Sequence, residues 1–322
     1  MLKTRIITAL ILISLVVFTT FYLEPVWFLF ISSLFILVGI WEWFNLFSLD
    51  GLDRVEEFLK YLVIFPVFFI FLILQPILYF LDVQLLAPFF DPPRTYYFVI
   101  YVSLLFFWLV IAPLMIINYQ KGLFHHPNPL RTWLWTGKWP WNSLTIGPKA
   151  TVQSFLLGNV LLWGMWISLV MLLFHSPYIL LLLLLIIWSA DTAAYFSGKK
   201  YGKHILADNV SPGKTWEGVI GGLITGILAT FLALHFFREF LSVDLFQASP
   251  IKIILLSSVT VIYSIVGDLF ISLIKRQTGK KDSGILFPGH GGVLDRIDSL
   301  MSGSVAFIFW GIFLGLFDFG LI

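Results

Sequence analysis

Residues 267–298 read GDLFISLIKRQTGKKDSGILFPGHGGVLDRID and join one apolar run to another through a polar, glycine-rich segment. Asp268 lies inside the first run, where a carboxylate in a membrane segment costs from about 2.5 to over 10 kcal/mol. Asp295 and Asp298 open the second run, and four Lys or Arg residues stand between the two runs. Hard carboxylates near phosphate-binding cations are what Mg²⁺ requires to bridge a polyphosphate. The stretch therefore predicts phosphate and metal chemistry at a membrane face.

The first apolar run is predicted to continue as a helix as far as Arg276. Residues four, seven and eight positions apart lie on one side of a helix, so one face carries Asp268, Ser272, Lys275 and Arg276. Residues 288–292, PGHGG, are predicted to form an irregular turn, because three glycines permit positive φ and expose backbone amides. A hairpin of two helices can then bring Asp268 and Asp295 together below the lipid headgroups.

The composition of the chain indicates a membrane protein. Of the 322 residues, 59% are hydrophobic and 12% are charged, and the mean hydropathy is +0.94, whereas a soluble domain carries about 25% charged residues. A net charge of +2 predicts no nucleic-acid partner. The absence of cysteine excludes disulfides, thiolate nucleophiles and thiolate metal sites.

Apolar runs near 20 residues predict an all-α polytopic membrane protein of about nine transmembrane helices, with a polar cavity facing the cytoplasm. We expect N-terminal transmembrane helices with an interfacial loop (118–150) over residues 1–150, and a catalytic transmembrane domain over residues 151–322. The predicted spans are 5–22, 25–44, 61–81, 96–117, 154–174, 178–196, 218–237, 251–273 and 300–321.

The basic residues predict the orientation of these spans. With the N-terminus in the cytoplasm, all but three of the 20 Lys and Arg residues fall on the cytoplasmic side, the exceptions being Arg94, Arg238 and Lys252. This asymmetry follows the positive-inside rule and places the loop between Asp268 and Asp295 in the cytoplasm.

Two further stretches carry candidate chemistry. Asp191 is an acid in the sixth predicted span, where it is expected to face a cavity or to bond a neighbouring helix. The segment 211–217, SPGKTWE, precedes the seventh span and offers Lys214, Thr215 and backbone amides to an anion. A Walker loop would require glycine at position 208, which is Asp208, so that interpretation fails. Glycines at 218, 222 and 226 indicate close helix packing.

The motif from Ser272 to Asp298 resembles the signature of the phosphatidate cytidylyltransferases, or CDP-diacylglycerol synthases. DTAAY at 191–195 and SPGKTWE at 211–217 also look like blocks of this family. The pattern is long and discontinuous and shows no departure from the family. The resemblance is specific over roughly 188–300, and residues 1–150 support it only as hydrophobic spans.

The resemblance implies that CTP and phosphatidate react to CDP-diacylglycerol and pyrophosphate, with Mg²⁺ required and a second cation left open. It implies a multi-pass enzyme of the bacterial inner membrane with a cytoplasmic active face, surrounded by membrane lipid and compatible with a homodimer. By analogy, Asp268 and Asp295 hold the metal, and Lys275, Arg276 and Lys214 neutralise phosphates. The other expected substrate-binding or supporting residues are Ser211, Thr215, Asp191, Asp282, His290, Arg296 and Asp298.

Other functions remain open at this point. A CTP-dependent lipid-alcohol kinase would also be a polytopic enzyme using CTP and Mg²⁺, but it would transfer the γ-phosphoryl group. An ion-coupled transporter would also use intramembrane carboxylates, although the chain shows no convincing internal repeat. An inactive paralogue is the third alternative, and the intact motif argues against it.

Overall fold

The computed structural model describes residues 2–46, 94–120, 152–287 and 291–318, which are largely helical. The predicted span 61–81, nearly all of the loop 118–150, and His290 lie outside these ranges. The elements are α1 Leu2–Phe21, α2 Pro25–Leu46, α3 Arg94–Phe106, a π-helical segment Phe107–Ile111, α4 Ala112–Gln120, α5 Val152–His175, α6 Pro177–Tyr201, β1 Ile205–Ala207, β2 Ser211–Thr215, α7 Trp216–Leu241, α8 Pro250–Gln277 and α9 Leu294–Phe313.

The helices agree with the predicted polytopic membrane protein. Each predicted span within the described residues overlaps a helix, and α3, the π-helical segment and α4 follow one another without a break. Six helical stretches of the described chain are long and apolar enough to cross a membrane. The helix α9, which has Asp295 in its first turn, is not among the six. The total of nine spans stays a prediction.

Two of the helix boundaries that differ from the sequence prediction bear on the site. The last span was predicted over 300–321, but α9 begins at Leu294, where an acid in the first turn suits the positive end of the helix dipole. The sixth was predicted to end at 196, but α6 continues to Tyr201, with Lys199 and Lys200 in its last turn. Asp191 therefore lies about 15 Å along the axis from the end of α6.

The helices α6 and α7 pack closely through the three glycines, as predicted. A Cβ at Gly218 would lie 2.9 Å from the carbonyl oxygen of Ala194 and one at Gly222 would lie 3.1 Å from that of Ala190, both in α6, whereas one at Gly226 would lie 2.7 Å from Val261 Cγ2 of α8. The opposite face of α7 is exposed and apolar, as lipid-facing helices are, and carries Ile220, Ile224, Leu228, Leu232 and Phe236.

The segment before α7 was predicted to be a basic loop, and this was wrong. It forms a small antiparallel hairpin in which Ile205 pairs with Thr215 and Ala207 with Ser211. Asp208 and Asn209 occupy the turn, where their short polar side chains are favoured. The other named elements of the described residues are helical, and the hairpin places Lys214 beside Asp268 of α8.

Candidate active site

A polar cavity of about 390 Å³ lies where α6, β2, α7, α8 and α9 meet. It brings together acids and cations that are far apart in the sequence. The predicted site residues that line it are Asp191, Lys214, Thr215, Asp268, Lys275, Asp282, Asp295, Arg296 and Asp298.

Asp268 projects into this cavity from α8 and pairs with a lysine of the hairpin. Lys214 Nζ lies 2.6 Å from Asp268 Oδ2. The hydroxyl of Ser272 donates to Asp268 Oδ1 at 3.3 Å, which confirms that residues four apart on α8 share a face. The acid predicted to be costly inside an apolar run is therefore compensated by a cation and a hydroxyl.

Asp295 is held by α8 on one side and by the glycine-rich loop on the other. Lys275 Nζ lies 2.5 Å from Asp295 Oδ1. Asp295 Oδ2 accepts hydrogen bonds from the backbone of Ser283 at 2.8 Å, its hydroxyl at 3.0 Å and the backbone of Gly292 at 3.0 Å. Burial raises the pKa of the Asp295 carboxyl, but Lys275 and these donors outweigh burial and hold that pKa below its ordinary value.

The glycine-rich loop turns sharply next to Asp295. Gly291 has φ of 77°, a conformation that favours glycine, and its carbonyl accepts from the backbone of Phe287 at 2.9 Å. A Cβ on Gly291 would also lie 2.4 Å from Asp295 Oδ2. The positive φ predicted for this turn is thus present at Gly291, while residues 288–290 lie outside the described residues.

Asp191 and Asp298 complete the acidic side of the cavity. Asp298 is buried, and its Oδ1 accepts from the backbone of Ser299 at 2.8 Å. Asp191 reaches the same cavity from α6 and is exposed to it. The prediction that Asp191 faces a cavity agrees with this position.

Thr215 caps the N-terminus of α7, because its hydroxyl oxygen accepts a hydrogen bond from the backbone of Gly218 at 3.1 Å. Next to it, His204 Nδ1 lies 2.6 Å from Glu217 Oε1 and fastens the hairpin to α7. The predicted helix N-terminus at Lys214 and Thr215 is therefore present, with Lys214 at the cavity.

The structure does not bring Arg276 and Ser211 into the cavity lining. Arg276 Nε donates to the carbonyl of Val210 at 3.1 Å, so this guanidinium supports the hairpin turn. Ser211 pairs with Ala207 in the hairpin. Substrate contacts by these two residues stay predictions, and His290 lies outside the described residues.

Glu42 of α2 was not predicted to belong to the site. It is 4% exposed, and its oxygens accept from the backbones of Val293 and Leu294, both at 2.9 Å. The sequence signal was an acid in the apolar span, within Trp41-Glu42-Trp43. The argument that selected Asp191 and Asp268 applies equally to this acid.

An apolar cavity of about 370 Å³ adjoins the polar one. It runs between α1, α2, α5, α6 and α9 and is lined by side chains such as Val16, Ile31, Phe35, Leu169 and Leu184. The two cavities share Asp191, Asp295, Arg296 and Asp298. An apolar compartment therefore opens beside a charged one.

The donor chemistry of the polar cavity suits Mg²⁺. Within the described ranges no three His, Asp or Glu side chains form a ready-made metal cluster, and Asp268 and Asp295 each pair with a lysine. Mg²⁺ is commonly bound through one or two carboxylates together with substrate phosphates and water. Two carboxylates on one cavity meet that requirement.

The chain was compared with known proteins. The sequence pattern of the cytidylyltransferase family matches residues 3–314. The phosphatidate cytidylyltransferase of Haemophilus influenzae is 35% identical over 319 residues, which cover 97% of this chain and 99% of that protein. The phosphatidate cytidylyltransferase of Pseudomonas aeruginosa is 33% identical over 311 residues, covering 95% and 96% respectively.

Proposed function

The chain belongs to the cytidylyltransferase family, and on that premise we propose that it is a phosphatidate cytidylyltransferase. It transfers the cytidylyl group of CTP to phosphatidate, giving CDP-diacylglycerol and pyrophosphate for phospholipid synthesis. A phosphate oxygen of the lipid forms a bond to the α-phosphorus of CTP, and the bond from that phosphorus to pyrophosphate breaks. The nucleophile is already an anion, so the barrier arises from charge repulsion and positioning.

The observation that carries this proposal is the junction of the polar and the apolar cavity. The four residues shared by the two cavities include three acids and Arg296. Phosphatidate has an anionic headgroup and two acyl chains, so it requires a charged and an apolar compartment in contact. We place the headgroup near Arg296 and the chains among the apolar side chains of α2, α5 and α6.

Lys214 and Lys275 are assigned to the phosphates of the two substrates. Each now pairs with a carboxylate at the cavity, and phosphate oxygens are competing acceptors of the same chemistry. When a substrate takes a lysine, the partner acid becomes available to another cation. The cavity can thus exchange acid–lysine pairs for phosphate–lysine contacts.

Asp268 and Asp295 would hold Mg²⁺ in this proposal. The cation supplies neutralisation of the triphosphate charge, which lowers the repulsion between CTP and the lipid phosphate. Asp191 and Asp298 also line this cavity, and they would support a second cation. The chain keeps these acids in place through Ser272, Ser283, Gly292 and Ser299.

We further propose that the protein lies in the inner membrane of a bacterial cell and that its site faces the cytoplasm. The distribution of Lys and Arg supports this orientation, with Lys199 in the last turn of α6, Lys275 in the last turn of α8 and Lys214 in β2. We also propose that the chain divides at residue 150 into an N-terminal part and a catalytic part, and that it forms a homodimer. The mass of the purified protein in detergent tests the homodimer.

Labelled CTP tests the function. With purified protein, phosphatidate and Mg²⁺, CTP labelled at the α-phosphorus should transfer its label to the lipid, and CTP labelled at the γ-phosphorus should not. The reverse pattern would contradict this function, and a lipid-alcohol kinase would transfer the γ-label to diacylglycerol, which has the free hydroxyl that phosphatidate lacks. Ion flux in liposomes without CTP turnover would identify a transporter.

A further inference from the structure

We propose that Glu42 is a positioning residue that fixes Ser283 and the start of α9 at Val293 and Leu294 and, through them, Asp295. This inference rests on the proposed function. Glu42 comes from α2, in the part of the chain whose sequence suggested hydrophobic support only. It is nevertheless the buried acid on which the two described ends of the glycine-rich segment, Ser283–Gly284 and Gly292–Leu294, converge.

Both carboxylate oxygens of Glu42 bind this segment. Oε1 accepts from the backbone of Val293, and Oε2 accepts from the backbone of Leu294. These amides open α9 and have no partner within the helix. The negative charge therefore lies at the positive end of the helix that carries Asp295 and Asp298.

Ser283 connects the two acids. Its hydroxyl lies 2.8 Å from Glu42 Oε2 and 3.0 Å from Asp295 Oδ2. A hydroxyl has one proton, so it donates to one carboxylate at a time. The backbone amide of Ser283 binds Asp295 as well. A displacement of Glu42 would therefore move Ser283 and, through Ser283 alone, alter the hydrogen bonds of Asp295.

Two glycines of the loop make room for Glu42. A Cβ at Gly284 would lie 2.3 Å from Glu42 Oε1, and one at Gly292 would lie 2.2 Å from Glu42 Oε2. The three nearest atoms to each added Cβ all belong to Glu42. Gly292 also donates to Asp295. The glycines of this motif are thus explained in part by the close approach of an acid from another helix.

Other contacts hold α2 against the same loop. The rings of Phe35 and Phe287 stack with centroids 6.3 Å apart, and Lys280 donates to the carbonyl of Asn45. Along α2, Glu42 lies between these two contacts. It touches no substrate compartment itself, since it lines neither cavity.

The first test compares Glu42→Gln with Glu24→Gln, which removes the same charge just before α2. A glutamine presents NH₂ to one of the two amides, so that contact is lost. We expect kcat to fall about tenfold to a hundredfold and the Mg²⁺ concentration for half-maximal activity to rise. Loss of folded protein alone would lower the rate without moving that concentration. Glu24→Gln should behave as the unaltered enzyme.

The second readout needs neither Mg²⁺ nor CTP. In hydrogen exchange of the full-length protein, Glu42→Gln should speed exchange of the amides of Ser283 and Gly292–Leu294 and leave α6 and α7 unchanged. Unaltered exchange of this loop, or a Mg²⁺ dependence equal to that of the unaltered enzyme, would overturn the inference. If the unaltered enzyme itself fails to label phosphatidate, it is the proposed function that fails.

A pair of substitutions keeps the inference testable if Glu42→Gln does not fold. Gly284→Ala places a methyl group on the carboxylate, and Glu42→Asp shortens that side chain by one methylene. The double variant should retain more activity than the product of the two single losses predicts. Strictly multiplicative losses would overturn the inference, because coupling is expected only between groups in contact.

Discussion

Lys214 and Asp268 form an ion pair of 2.6 Å that joins strand β2 to α8 across the polar cavity. The two residues belong to separate sequence blocks, 54 positions apart, and both side chains remain partly exposed. The pair is open to the cavity, where a phosphate oxygen is a competing acceptor of the same chemistry. Its position at the cavity suggests that the lysine serves a phosphate when substrate is bound.

Replacing Lys214 by methionine should lower kcat/KM for CTP or phosphatidate about tenfold to a hundredfold, because one charge-assisted contact to phosphate is lost. Steady-state kinetics with each substrate varied in turn would show which phosphate it serves. Lys200→Met is the matched control, since Lys200 packs over the ring of Tyr201 outside the cavity. Equal kinetics of both variants would remove Lys214 from the site.

Asp295→Asn should reduce turnover more than about a hundredfold while the protein remains inserted and folded. The amide preserves shape but has no charge, so it cannot balance Lys275 or hold Mg²⁺. Measured CTP consumption and thermal unfolding in detergent would separate activity from folding. Asp208→Asn in the hairpin turn is the control, and near-normal activity of Asp295→Asn would exclude Asp295 from the metal site.

Local periodicity was enough to predict much of the site. The helix through Asp268 and Ser272 and the turn at Gly291 follow from spacing and from glycine chemistry, and both are confirmed. The directions of side chains at helix ends could not be predicted from local spacing. Arg276 Nε donates to the carbonyl of Val210, a contact that depends on a hairpin that the sequence did not predict, and the contact of Arg276 with a phosphate stays a prediction.

Glu42 was missed for a related reason. Its partner Ser283 is 241 positions away, and no local pattern connects them. An acid in an apolar span is costly and must therefore have a polar partner, but its position in the sequence does not identify that partner. The same limit applied to Asp295, whose lysine could be proposed as a phosphate ligand but not as its ion-pair partner.

Gly226→Leu should destabilise the packing of α7 against its neighbours by about 1–3 kcal/mol. Even a Cβ would lie 2.7 Å from Val261 Cγ2 and 3.6 Å from Ala190 Cβ. A lower midpoint of thermal unfolding in detergent would show this. Leu232→Phe adds volume on the exposed face of the same helix and should leave the midpoint unchanged. A similar shift in both variants would contradict close packing at the glycines.

Ile31→Trp should narrow the apolar cavity and select against long acyl chains. Ile31 lines that cavity, whereas Leu34 of the same helix is exposed and does not. The tryptophan occupies volume that a long chain would fill, and steric overpacking of this kind costs about 1–3 kcal/mol. KM for long-chain phosphatidate should therefore rise about tenfold, while KM for CTP and for a short-chain phosphatidate stays unchanged.

Leu34→Trp is the matched control. If both tryptophans act alike, or if chain length makes no difference, the acyl chains do not occupy this cavity and the junction with the polar cavity loses its assigned role.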